Sequence, residues 1–193
     1  KPDLVLVWES GTRPQDIRRL GELKIPTLTL SIRKLGDLPE AIEAVGHATG
    51  RMQSSKAEAD RLRKTINNPA PGNRGAPVRV FIEISALPLM TVNRDHVLSE
   101  IVTRCGGENV FADAPSLVVE PSREALITRK PEALLRPRTS QPAWPTYLPQ
   151  RLSPAPRILS FTPDWAFRPG PRLIDAMREI CVALGDAGGA RSR

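Results

Sequence analysis

VRVFIEISALPLMTVNRDHVLSEIVTRCGGENVFAD, residues 78–113, sets the architecture of this chain. Its opening, Val78 to Ile84, is β-branched and apolar, the pattern of a strand buried on both faces. A loop follows that holds Pro88, Thr91 and Asn93. From His96 to Cys105, the apolar residues Val97, Leu98, Ile101 and Val102 recur at helical spacing, which predicts a helix with one buried face. Gly106 and Gly107 stop that helix, because glycine takes the left-handed cap conformation at little cost. Strand, loop, helix and glycine stop make half of an α/β repeat. Ligands of such sheets gather where strands run out into loops, here Glu83 to Thr91.

The same repeat is legible upstream. Leu4 to Trp8 reads as a short strand, Gln15 to Leu23 as a helix with Ile17, Leu20 and Leu23 on one face, and Ile25 to Leu30 as the next strand. Asp37 is placed to cap a helix through Leu38 to His47, with Ile42 and Val45 buried. Ser54 or Ser55 then caps a polar helix from Lys56 to Ile66, whose apolar stripe is only Leu62 and Ile66. Asn67 to Pro77, NNPAPGNRGAP, is turn-forming and linker-like. The expected division is 1–53, a linking helix and loop at 54–77, and 78–193.

Downstream, Ser122 is an N-cap for a helix in which Glu124 favours the dipole of the first turn. KPEALL at 130–135 echoes KPDLVL at 1–6, which suggests similar topology in the two halves. Ten of the 20 prolines lie between Pro131 and Pro171, so this segment reads as irregular apart from a strand at Arg157 to Phe161. The last helix is expected from Pro171 to Leu184, with Leu173, Ile174, Met177, Ile180, Cys181 and Leu184 inward, Gly185 as its stop and a frayed tail beyond.

Composition narrows the function classes. The formal charge is +7, and its excess is densest at 54–77, with 5 basic against 2 acidic residues. That is a solvated face rather than a basic stripe interleaved with aromatics, so no nucleic-acid partner is expected. His47 and His96 stand far apart, and no Walker loop, G-x-S-x-G or paired carboxylates occur. Enzyme chemistry therefore has no visible carrier. Cys105 and Cys181 are either a disulfide or two inert buried thiols.

One further motif carries chemistry: FTPDWAFRPGPR, residues 161–172. Trp165 can cover an apolar face, Asp164 can accept N–H groups, and Arg168 can donate to carbonyls or phosphate. The competing reading is a helix start with a packed tryptophan. Trp8 ends its own strand and is either a second ring wall or core.

PLMTVN…CGGENVFAD and DWAFRPGPR together resemble the periplasmic cobalamin-binding proteins of ABC importers, which share their fold with siderophore and haem binders. The resemblance covers almost the whole chain. It implies an α/β, two-lobed clamshell substrate-binding protein with mostly parallel sheets and a linking helix. It also implies a first lobe lacking its opening strands and any export signal, since KPDLV sits mid-lobe in the family. Cobalamin or a related corrinoid would be held between lobes and passed to permease subunits in the inner membrane, from the periplasm, with no cofactor and no catalysis. By the same resemblance Trp8, Ile84, Pro88, Asp164, Trp165 and Arg168 contact ligand. Ile84 stands where the best-known member has an aromatic, and Val118 where it has a Trp. Glu124 matches the glutamate that docks on the permease; helix-start stabilisation is its alternative. Cys105 and Cys181 match the family's cysteine pair, which raises the disulfide. A ferric siderophore or haem carrier of the same fold is the alternative ligand class. A basic nucleic-acid module is the alternative from another class.

Overall fold

The computed structural model describes residues 2–9, 11–138, 154–168 and 170–189. It divides into two compact units, Lys1–Lys64 and Thr65–Arg193, with the division inside a helix, Met52–Asn67. In the first unit, β1 (Val5–Trp8) and β2 (Thr27–Leu30) pair in parallel with Val5 opposite Thr27 and Trp8 opposite Leu30. Helix α1 (Pro14–Glu22) joins them; proline at its first turn suits a position whose N–H has no helical acceptor. Helix α2 (Asp37–Ala48) follows β2, and α3 (Met52–Asn67) follows α2. Val7, Leu30, Leu35, Leu38 and Ala41 are buried here. Arg63 of α3 reaches Glu43 of α2 through both guanidinium Nη atoms, at 2.8 and 2.9 Å.

The second unit is built on the stretch quoted first. β3 (Val78–Ile82) runs parallel to β6 (Gly107–Asn109) on one side and to β8 (Ala133–Pro137) on the other, and β9 (Arg157–Phe161) extends the sheet beyond β8. A strand flanked on both sides and covered on both faces needs apolar residues on both, and Val78, Val80, Phe81 and Ile82 supply them around a half-buried Arg79. Phe81 points to one face, where it meets Phe111 edge to face at 5.6 Å and clusters with Val110, Leu126 and Leu134. Val80 points to the other, toward Val102 of α4 (Val97–Arg104). The last helix, α7 (Leu173–Gly189), contacts α4, β3 and β9, and its Leu173, Ile174, Met177, Ile180, Cys181 and Leu184 are all buried as its spacing predicts. Cys105 and Cys181 are joined by a disulfide.

A smaller three-stranded sheet carries β4 (Ser85–Ala86), β5 (Leu89–Val92) and β7 (Val118–Val119). Helix α5 (Arg123–Thr128) starts at Ser122, whose Oγ accepts from the Ala125 N–H at 3.0 Å. Helix α6 (Pro163–Ala166) is one turn placed after β9.

Several sequence expectations change. The loop after Ile84 is a β-hairpin turning on a cis Leu87–Pro88 bond; strands of two and four residues are too short to show a period. Ser54 and Ser55 do not cap α3 but lie inside it, donating back to the carbonyls of Arg51 and Met52. The helix is therefore a turn longer than its apolar stripe suggests. On α2 the buried residues are Leu38, Pro39, Ala41 and Gly46, while Ile42 and Val45 are half-buried. Asp37 does not cap that helix; its Oδ2 accepts from the N–H groups of Arg33 and Lys34, both at 2.8 Å, and closes the preceding turn. Gly106 is left-handed as expected, with φ +81°, but Gly107 opens β6. Gly185 does not stop α7: the helix runs four residues on to Gly189, and Gly185 instead lies against the backbone of Pro71 and Gly72. The irregular segment 139–153 and the end of the tail, 190–193, lie outside the described residues.

Candidate functional site

Because β3, β8 and β9 are parallel, their C-terminal ends open on one edge of the larger sheet. Everything the sequence singled out in the second unit for ligand contact leaves from that edge. From β3 come Glu83, Ile84 and the hairpin with Pro88. From β9, two strands or about 10 Å away, come Asp164, Trp165 and Arg168.

On the β9 side, Thr162 is the hinge. Its N–H donates to Glu179 Oε2 of α7 at 2.7 Å, and its hydroxyl faces the same carboxylate. Arg138, just past β8, donates to Glu179 Oε1 as well. This carboxylate fixes where β9 ends and α6 begins. Pro163 then takes the first helical turn and presents Asp164 and Trp165. Arg168 Nη2 lies 3.5 Å from Asp164 Oδ1, with both side chains mostly exposed. An exposed pair of this kind adds at most about 1 kcal/mol to stability, so its acceptor and donor atoms remain available to a ligand. Trp165 is half-buried, neither sealed in the core nor free. Beside it Phe167, which sequence reading passed over, is 41% exposed and stands edge to face with Phe161 at 5.5 Å. Acid, guanidinium and aromatic surface thus come together on one short loop.

On the β3 side, Ile84 donates its N–H to Met90 O at 3.0 Å and is half-buried, while Pro88 is exposed. Leu87, unremarked in the sequence, is 87% exposed at the hairpin tip, an apolar side chain with no core to enter. Glu83 is the opposite case. It is 1% exposed, and among the described residues its Oε2 has no hydrogen-bond partner; Thr91 Oγ1 is similarly buried and unpartnered. Loss of solvation pushes the Glu83 carboxyl up to about 7, against a smaller opposing pull from Arg136. Both residues were in the sequence, but nothing in a single sequence says that a glutamate at a strand end turns inward.

In the first unit, Trp8 closes β1 and is 37% exposed. Its N–H donates to Thr12 Oγ1 at 3.1 Å, and its carbonyl accepts from Thr12 at 2.9 Å, so the turn after the strand is tightly held. Next to it Glu9 Oε2 accepts from Ser31 Oγ and from Arg33 Nη2, the latter at 3.1 Å. These two bonds and the Arg33 charge hold the Glu9 carboxyl below the usual carboxylate range. Glu124, in the first turn of α5, is exposed.

No family model matches the chain. Among curated proteins, the vitamin B12-binding protein of Pectobacterium carotovorum is 31% identical over 190 residues, 95% of this chain and 68% of that relative. The chain belongs to the vitamin B12-binding protein family. That is a family of substrate-binding proteins, not enzymes. Its α/β fold with parallel sheets is the periplasmic binding protein fold. The crystal structure of the periplasmic vitamin B12 binding protein of Vibrio cholerae matches with a TM-score of 0.81 at 23% identity, over 96% of this chain and 75% of that one. The periplasmic haem-binding protein of Roseiflexus sp. RS-1 in apo form matches with a TM-score of 0.78 at 19% identity, over 97% and 77%. The fold is therefore shared by B12-binding and haem-binding proteins, and membership of the vitamin B12-binding family rests on sequence.

Proposed function

We propose that this chain is the periplasmic substrate-binding component of an ABC importer, and that it captures cobalamin or a related corrinoid and delivers it to the permease. The observation that carries this reading is the Asp164–Trp165–Arg168 group, a carboxylate, an indole and a guanidinium on one exposed turn, in a chain of the vitamin B12-binding family. A corrinoid offers a broad apolar ring edged with amides. Trp165, with Trp8, Ile84 and Pro88, supplies apolar contact; Asp164 accepts amide N–H groups and Arg168 donates to carbonyl oxygens. No bond to the ligand is made or broken. Glu124, exposed and on a helix start, is assigned to the permease, where a carboxylate meeting arginines gives a transient, salt-sensitive contact.

Spectral titration of the chain with cyanocobalamin, beside hemin and a ferric siderophore, tests the assignment. Saturable binding of cyanocobalamin is expected, and Trp165→Ala weakens it by about tenfold or more, since stripping one aromatic wall forfeits over 1 kcal/mol. Binding of hemin with none of cyanocobalamin would move the chain to the haem branch of the fold.

A further inference from the structure

We propose that Glu9 and Arg33 form a second carboxamide-reading pair, in the first unit, that selects amide-bearing macrocycles over carboxylate-bearing ones. This rests on the corrinoid reading above and narrows it. β1 and β2 are parallel neighbours, so Trp8 and Leu30 end side by side and Glu9 and Ser31 leave from the same sheet edge. That is the edge where ligands of parallel sheets gather. Glu9 and Arg33 are exposed, at 48% and 65% of their side chains, so the pair adds little to folding. Yet it is held with care. Asp37 Oδ2 accepts from the Arg33 N–H and fixes the turn from which the guanidinium rises, and Ser31 Oγ donates to the Glu9 carboxylate. Among the described residues both bonds to Glu9 end on Oε2, leaving Oε1 to accept an N–H from outside.

A carboxylate acceptor beside a guanidinium donor is complementary to a primary carboxamide, which offers N–H and C=O side by side. A ligand carboxylate fits worse: it has no donor for Glu9 and meets like charge. The same three chemistries recur in the second unit, where Asp164 neighbours Trp165 and pairs with Arg168 at 3.5 Å. Each unit thus sets an indole directly beside an acid that is paired with an arginine.

The test uses the full chain and two probes: cyanocobalamin, and the derivative in which one side-chain amide has been hydrolysed to a carboxylate. Circular dichroism confirms folding of each variant, which surface exposure of both residues favours. Glu9→Gln is expected to weaken cyanocobalamin binding by about fivefold or more, and to shrink the preference for the amide over the carboxylate form. Arg33→Gln is expected to weaken cyanocobalamin similarly, with the double variant no weaker than either single variant. Folded variants that bind cyanocobalamin within about twofold of the parent, with the preference intact, overturn the pair's role while leaving the corrinoid reading standing. A parent chain that fails to bind cyanocobalamin overturns both.

Discussion

Replacing Glu83 by Gln separates two opposing proton linkages that the second unit carries. Burial raises the Glu83 carboxyl from 4.5 to about 7. Burial lowers His96 from 6.5 to about 4, where its neutral ring accepts the Leu98 N–H on Nδ1 at 3.1 Å and caps α4. Each displacement corresponds to roughly 3 kcal/mol between protonation states. The signs are opposite. For Glu83 the folded state binds the proton more tightly than the unfolded chain, so its contribution is full below about 4.5 and is lost as pH rises through about 7. For His96 the unfolded chain binds the proton more tightly, so stability is full above 6.5 and is lost as pH falls toward 4. Over the shared window the two slopes nearly cancel, and the parent chain should show a flat pH profile from these groups.

Glu83→Gln removes one slope and leaves the other. Below about pH 4 the parent glutamate is protonated in both the folded and the unfolded chain and the variant should differ from it by a constant; by about pH 8 the variant should gain roughly 3 kcal/mol relative to that constant. Urea unfolding of the intact chain across this range, followed by tryptophan fluorescence and far-ultraviolet dichroism, reads the difference directly. Arg136 gives a second check. It favours the charged Glu83, so Arg136→Gln should shift the midpoint of the Glu83 slope upward. Parallel pH profiles for parent and Glu83→Gln would refute the reasoning, since they would mean that the carboxylate finds solvent or a partner when it ionises.

Reduction of the Cys105–Cys181 bond, or Cys105→Ala, opens a loop of sequence separation 76 and should cost about 4 kcal/mol in the chain-entropy account, seen as a large drop in the denaturation midpoint of the second unit. Gly106→Ala should destabilise by about 1–3 kcal/mol, because φ is +81° and the new Cβ would lie 2.1 Å from Asn73 O. Gly185→Ala meets only ordinary contacts, the nearest at 3.5 Å, and should be neutral or stabilising by about 0.5–1 kcal/mol through helix propensity; differential scanning calorimetry distinguishes the two glycines. Glu124→Ala should leave cyanocobalamin titration unchanged while reducing uptake in reconstituted vesicles, and equal uptake would remove its docking role.

The second unit was legible where local pattern and tertiary setting agree. The mostly apolar stretch Val78 to Ile82 suits a strand buried on both faces, which is where the parallel sheet places it, and the α4 and α7 faces follow a period that their partners accept. The Asp164, Trp165 and Arg168 group was readable for the same reason: residues four apart on one turn meet whatever the rest of the chain does. What the sequence hid depends on partners far along the chain. Arg33 meets Glu9 across 24 positions, and no local period joins a strand end to a residue beyond the next strand. The inward turn of Glu83 and the exposure of Leu87 belong to a hairpin too short for its pattern to register.

The turn-forming, linker-like segment at 67–77 is tied to partners far along the chain. NNPAPGNRGAP has no helix or strand after Asn67, yet it is pinned: the Asn73 N–H donates to Cys105 O at 3.0 Å, and Asn73 Nδ2 donates to Ala76 O and Gly106 O. A Cβ on Gly72 would fall 2.3 Å from Cys105 O, and Gly185 of α7 approaches the same Gly72. Three glycines that punctuate the sequence at remote points therefore mark one place, where a loop, the end of α4 and the last helix bring their backbones together over the disulfide. At Gly72 and Gly106 glycine is required by closeness rather than by flexibility, whereas a Cβ on Gly185 would meet only ordinary contacts. Asn73 is the centre of that contact: its N–H pairs with Cys105 O, its Nδ2 holds the Ala76 and Gly106 carbonyls, and its Oδ1 accepts from the Gly75 N–H, which ties a stretch so poor in apolar residues to the core.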